Sequence, residues 1–226
     1  MARLISDEAR VALGEVASVG LLDIKGFYDH IQWHKLLEES VFWHYPAHVM
    51  CLSLQMYMAP RMIRQRGWMA RDPVVPGRSV ATGERNGNHA ARIYTYRLIQ
   101  AMHDSYRCME IKQWVDDVPL RVYGAKQHVF EVMVSAFTDV KKLMNKMGLI
   151  LADKTTILCS ERRLAGVIQR ALAKEGVKVK TASEALDLGL DVGMGARPAK
   201  AKHLKRKAMS AKRIKNALAL RGQDSP

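Results

Sequence analysis

The sequence predicts an α+β fold, an antiparallel sheet with helices packed on one face, followed by a basic, mostly helical C-terminal segment. Three stretches carry this prediction. Residues 110–124 (EIKQWVDDVPLRVYG) hold two strand-like runs interrupted by Asp116-Asp117. Residues 126–148 repeat apolar side chains from Val129 to Met147 with the 3.6-residue period of an amphipathic helix. Residues 18–31 (SVGLLDIKGFYDHI) open on a short apolar run ending in Asp23. Strand, helices, hairpin, helix, strand is the order of an antiparallel sheet covered on one side.

The elements follow in turn. After Asp23, GFYDHIQWHKLLEESVFW has helical spacing through Ile31, Leu37 and Val41, and Asp29 reads as the N-cap of that run. Pro46 suits the opening of a second helix and Pro60 its end. RMIRQRGWMARDPVV reads as two short strands around Gly67, with Arg61, Arg64 and Arg66 lining one face. GERNGNHAARIYTYRLIQAMHDSY is helical again, with Ala90, Ile93, Tyr94, Leu98 and Met102 on one side. Gly148 is placed to cap the amphipathic helix, and LILADKTTILCS reads as two short strands around Asp153-Lys154. Beyond residue 161 come a short helix, two strand-like runs (VKVKTA and ALDLGLDVGMG) and a basic helix, so a boundary is expected near residue 160 between a 1–160 domain and a 161–226 segment.

Composition narrows the functional classes. The 226 residues are 48% apolar, enough for one core and an appendage. The net charge of +14 favours a polyanionic partner. Residues 197–221 hold ten Lys/Arg and no Asp/Glu, and there Lys205, Arg206, Lys207, Lys212, Arg213 and Lys215 are predicted to bind phosphate without sequence preference. Three widely spaced cysteines suggest a reduced, intracellular setting, nuclear or cytoplasmic. The N-terminus has no signal-peptide pattern, and no run reaches the ~18–20 apolar residues of a membrane span, so no membrane partner is expected. The eight histidines show no zinc spacing.

Two adjacent carboxylates at a hairpin tip are poor turn chemistry, because no glycine follows to take φ > 0. Like charges side by side also cost energy unless a cation lies between them. A strand ending in Asp23, placed beside that hairpin, would converge three carboxylates on one sheet margin. That set suits two hard divalent ions, Mg²⁺ or Mn²⁺, held ~3.5–4 Å apart for nucleotidyl transfer.

On these residues the chain resembles the palm of reverse transcriptases, most like those of non-LTR retrotransposons and group II introns, over roughly residues 18–195. LLDIKGFYDHI is similar to the first palm motif and QWVDDVPLRVY to the aspartate-pair hairpin. GLILADKTTIL resembles the lysine-bearing segment that closes the palm, and ALDLGLDV the strand before the thumb. The resemblance implies that Asp23 and Asp116 are the principal ligands of two metal ions, with the Ile24 carbonyl helping and Asp117 supporting. It implies that Tyr28 is a steric gate selecting deoxynucleotides, and that Lys154 is a general acid toward pyrophosphate. Gly77 and Arg78 fall in the turn that supports template and nucleotide, where Arg78 stands in place of the family's usual glutamine. Val115 stands where many relatives carry alanine. RNA template, DNA primer and dNTPs are the implied partners; the oligomeric state is left open. The fingers, expected upstream of Met1, make the chain read as a fragment.

Two other classes compete with an RNA-directed DNA polymerase. One is a decayed, inactive palm that only binds nucleic acid through its basic C-terminal helix. The other is an unrelated basic RNA-binding protein whose aspartates are incidental.

Overall fold

The computed structural model describes residues 10–65, 67–81, 83–84, 86–115, 117–182, 184–187 and 190–193. Strand β1 (Val16–Asp23) lies at the centre of a five-stranded sheet. It is antiparallel to β5 (Asp117–Gly124) on one side and to β6 (Thr156–Cys159) on the other. Two-residue edge strands complete the sheet, β4 (Glu110–Ile111) beside β5 and β7 (Lys180–Thr181) beside β6. Two ribbons stand apart, β2 (Arg64–Gln65) with β3 (Trp68–Met69), and β8 (Glu184–Asp187) with β9 (Leu190–Gly193).

Strand pleating divides β1 into two faces. Ser18, Gly20 and Leu22 point to the helix layer; Ala17, Val19, Leu21 and Asp23 point the other way, where Ala17 and Val19 meet Leu158 in a small second core. Helix α5 (Lys126–Met147) lies on the first face and buries Val129, Met133, Ala136, Phe137, Val140 and Met144. Each of these except Ala136 contributes about 1.5–3 kcal/mol relative to exposure. Gly20 is what lets the helix approach, since a Cβ there would lie 2.4 Å from the Phe137 ring. Gly148 caps α5 at φ 75°, as its position predicts.

Four more long helices complete the layer: α2 (Trp33–Phe42), α3 (Ala47–Met58), α4 (Gly87–Ser105) and α6 (Arg162–Lys174), with Leu36, Tyr57, Tyr94, Leu98 and Ile168 in the same core. The four-residue α1 (Phe27–His30) precedes α2. Pro46 and Pro60 flank α3 as expected.

Several local expectations are corrected. The helix after Asp23 is broken at Ile31-Gln32, and Gly26 at φ 51° takes the N-cap position assigned to Asp29. Around Asp153-Lys154 only β6 is a strand; Leu151 makes a single bridge to Ile24. The described residues of ALDLGLDVGMG fall on two antiparallel strands, β8 and β9, not on one. β7 pairs parallel to β6 through the α6 crossover, so the sheet continues past residue 160. Outside the β2–β3 ribbon, Arg61 makes an isolated antiparallel bridge with Val74, and its guanidinium donates back to the Tyr57 carbonyl at 3.3 Å. Arg66 and the basic stretch 197–221, with Lys205, Arg206, Lys207, Lys212, Arg213 and Lys215, lie outside the described residues.

Candidate active site

Asp23 and Asp117 are directly opposite in the β1–β5 ladder. The backbone shows which kind of pair they form. The Asp23 carbonyl accepts from Ala152 N–H at 2.8 Å, and its N–H donates to Thr155 Oγ1 at 3.4 Å, both on the β6 side. The Asp117 N–H and carbonyl pair with Trp114 at 3.1 and 2.8 Å, on the β4 side. Neither residue turns its amide groups toward the other, so they form a non-hydrogen-bonded antiparallel pair. Such pairs bring Cα atoms to about 4.5 Å and side chains closer still. Both carboxylates project on the face away from the helices, as β1 and β5 pleating requires.

Asp23 is only 8% exposed. A buried carboxylate facing another across a ladder is destabilising without a counter-charge. Lys154 supplies one, with Nζ 2.7 Å from Asp23 Oδ1. Its ammonium stands where a carboxylate-bound cation would carry positive charge.

Asp116 lies outside the described residues, as the position after Val115 in the turn between β4 and β5. The reciprocal Trp114–Asp117 bonds close this turn on two residues. Asp117 is therefore the first residue of β5 and not part of the tip. The first turn residue, Val115, takes φ 60°, which a two-residue hairpin requires and a β-branched side chain resists. Among the described residues no three His, Cys, Asp or Glu side chains come together as a metal-binding group. The two opposed carboxylates are described oxygen donors, and Asp29 and Asp153 line the cleft beside Asp23. The backbone around Ile24 suits a third oxygen: Lys25 N–H donates to the Ile150 carbonyl and Asp23 accepts from Ala152, so the Ile24 carbonyl faces the hairpin side. An all-oxygen set of this kind fits a hard divalent ion.

A cleft of about 530 Å³ opens beside Asp23, and Tyr28, Lys154, Lys25 and Lys180 are among the residues that line it. Tyr28 is half-buried over the buried Phe27, ring centroids 5.6 Å apart, and its hydroxyl donates to Asn88 Oδ1 at 2.6 Å. The segment after Gly77 crosses this corner: Ser79 N–H donates to the Ile31 carbonyl and Val80 N–H to the Tyr28 carbonyl, each at 3.0 Å. Trp33 Nε1 fastens it by donating to the Ser79 carbonyl at 2.7 Å. Gly77 and Arg78 are exposed and do not line the cleft.

The fold thus gathers Asp23, Ile24, Tyr28, Asp117 and Lys154 on one margin. The sequence reading missed Lys25 and Lys180 on the cleft wall; the alternation of VKVKT marks Lys180 as a strand residue but not its destination. It also missed Gln113, whose side chain touches the turn.

No protein-family model and no curated protein sequence matches the chain. Solved structures do. Apo telomerase from Candida tropicalis, truncated of its C-terminal domain, superposes with a TM-score of 0.56 at 12% identity, over 85% of this chain and 38% of that one. Telomerase from the same organism, in complex with the TWJ fragment of telomeric RNA, gives 0.57 at 14% identity, over 85% and 31%. This chain has a reverse-transcriptase-like fold. It spans roughly a third of the length of those telomerase chains. Among the described residues, no helix is long and apolar enough to cross a membrane.

Proposed function

We propose that the chain is the palm of an RNA-directed DNA polymerase, in which Asp23 and Asp117, together with Asp116, hold two divalent metal ions. The observation that carries this reading is the non-hydrogen-bonded pairing of Asp23 with Asp117 next to a strained two-residue turn. Two facing carboxylates need positive charge beside them, which suits the pair to binding cations. Bound Mg²⁺ or Mn²⁺ would lower the pKa of a primer 3′-hydroxyl and offset charge on the leaving pyrophosphate.

The chain's own residues do the rest. Asp23, anchored through its backbone to Ala152 and Thr155, is rigid enough to fix a ligand oxygen. The Tyr28 ring, pinned by Asn88, presents a wall against the 2′-position of an incoming sugar. Lys154 lines the cleft with its ammonium 2.7 Å from Asp23 Oδ1, and would be placed there to donate a proton to a leaving phosphate.

The test is primer extension on an RNA template with dNTPs and Mg²⁺ or Mn²⁺. Wild type should extend, whereas Asp23→Asn and Asp116→Asn should lose at least roughly 10³-fold, as expected when a metal ligand of the reaction is removed. Equal extension by all three proteins overturns the proposal.

One observation favours an inactive nucleic-acid-binding palm instead: Lys154 Nζ lies 2.7 Å from Asp23 Oδ1, so the buried carboxylate already has a counter-charge from the chain itself. Lys154→Ala separates the two readings. If the lysine only competes with the cation in a working site, the variant should bind Mn²⁺ more tightly in an electron paramagnetic resonance titration yet extend more slowly. If the ion pair is a structural replacement for the metal, neither protein should bind Mn²⁺.

A further inference from the structure

We propose that Gln113 is a positioning residue, one that sets the conformation of the aspartate turn by anchoring it to the interior of α4. Its side-chain amide donates to the Val115 carbonyl at 2.9 Å and also to Thr95 Oγ1. One Nε2 carries two hydrogens, so both bonds are satisfied together. Thr95 is 1% exposed, and its hydroxyl donates to the Ala91 carbonyl at 3.0 Å, so the acceptor that Gln113 finds is itself fixed.

The need for such a clamp follows from Val115. Its φ of 60° is a conformation that β-branched residues adopt only when their surroundings impose it. The Gln113 bond to the Val115 carbonyl holds the peptide group that joins Val115 to Asp116. Without it, the turn is free to relax toward negative φ, and the Asp117 carboxylate that follows would re-aim.

The same helix serves the other wall of the cleft. Asn88, which accepts from the Tyr28 hydroxyl, lies seven residues before Thr95 on the same side of α4. A single rod thus fixes both the Tyr28 ring and the aspartate turn, and Gln113 is its link to the turn. That Gln113 tunes metal affinity rests on the polymerase reading; that it holds the turn does not.

The experiment has two readouts on the full chain. Native-state hydrogen exchange follows the Asp117 amide, which donates to the Trp114 carbonyl at 3.1 Å. Gln113→Ala should speed that exchange roughly tenfold, the order expected for losing one hydrogen bond. Thr95→Val should reproduce part of the effect, and Thr95→Ser, which keeps the hydroxyl, should not. In a Val115→Gly background, where φ > 0 carries no strain, Gln113→Ala should be nearly silent. Mn²⁺ titration is the second readout, with affinity in Gln113→Ala expected to fall by a similar factor. Unchanged Asp117 exchange in Gln113→Ala overturns the inference, whatever the metal does. Faster exchange combined with equally weak Mn²⁺ binding by wild type and Asp23→Asn sustains Gln113 as the turn clamp and overturns the metal-site reading instead.

Discussion

Cys159 shows how far burial alone shifts the chemistry of a side chain. Desolvation pushes its thiol up to about 11, with Glu161 adding to the rise, although the Ser18 hydroxyl at 3.0 Å works the other way. Cys51 and Cys108 are exposed. A thiol reagent at neutral pH should therefore consume two thiols quickly and reach the third only on unfolding, since thiolate and access are both required. Three fast thiols would contradict the burial of Cys159. Tyr106 gives a pH-dependent counterpart. Burial and the Asp139 carboxylate, which accepts from its hydroxyl at 2.6 Å, raise its pKa to about 12. A tyrosine pKa raised by folding means that the unfolded chain loses its proton first. The stabilising contribution is therefore complete below about pH 10 and is lost as pH rises through about 12. Tyr106→Phe should lower Tm most below pH 10, and the gap to wild type should narrow from pH 10 to 12 in a series of thermal melts.

Among the elements, periodicity made the long ones visible. Residues Val129 to Met144 repeat on one face of α5 because only that face meets the sheet, and the resulting pattern is strong enough to read from sequence. The short elements obey different rules. β7 is two residues long and parallel, and what places it is the α6 crossover rather than any local propensity. The helix after Asp23 breaks at Ile31-Gln32 because Ser79 and Val80 pair there with the Ile31 and Tyr28 carbonyls, a contact nearly 50 residues away in sequence. Asp29 was misread as an N-cap for a similar reason: Gly26, able to take φ 51°, already opens the turn. The same logic makes Gly20 a sharp test of the β1–α5 interface. Gly20→Ala forces a methyl to within 2.4 Å of the Phe137 ring, so it should cost about 1–3 kcal/mol in denaturant unfolding. Phe137→Leu in the same chain should recover part of that loss. A Gly20→Ala protein as stable as wild type would mean that the helix stands further from the sheet than the structure places it.

At the scale of the whole molecule, the sequence revealed the carboxylates but not the reason they face each other. Asp23 ends an apolar run and Asp117 begins another, which is legible; their non-hydrogen-bonded register depends on where β6 and the Trp114 turn take their hydrogen bonds, which is not. Lys25, Lys180 and Gln113 were invisible for the same reason, since each reaches the site through a pairing that involves distant residues. Charge, in contrast, needs no register. If the polyanion contact resides in Lys205, Arg206, Lys207, Lys212, Arg213 and Lys215, its signature is thermodynamic. Each cation that neutralises a phosphate adds about −0.7 to the slope of log affinity against log salt for a single strand. Replacing all six with glutamine should flatten the slope for a single-stranded RNA by several units while leaving Mn²⁺ binding at the Asp23 margin unchanged. The reverse pattern, with Asp23→Asn changing the salt slope and the six glutamines leaving it intact, would place the nucleic-acid contact on the sheet face and remove the basic segment from the binding surface.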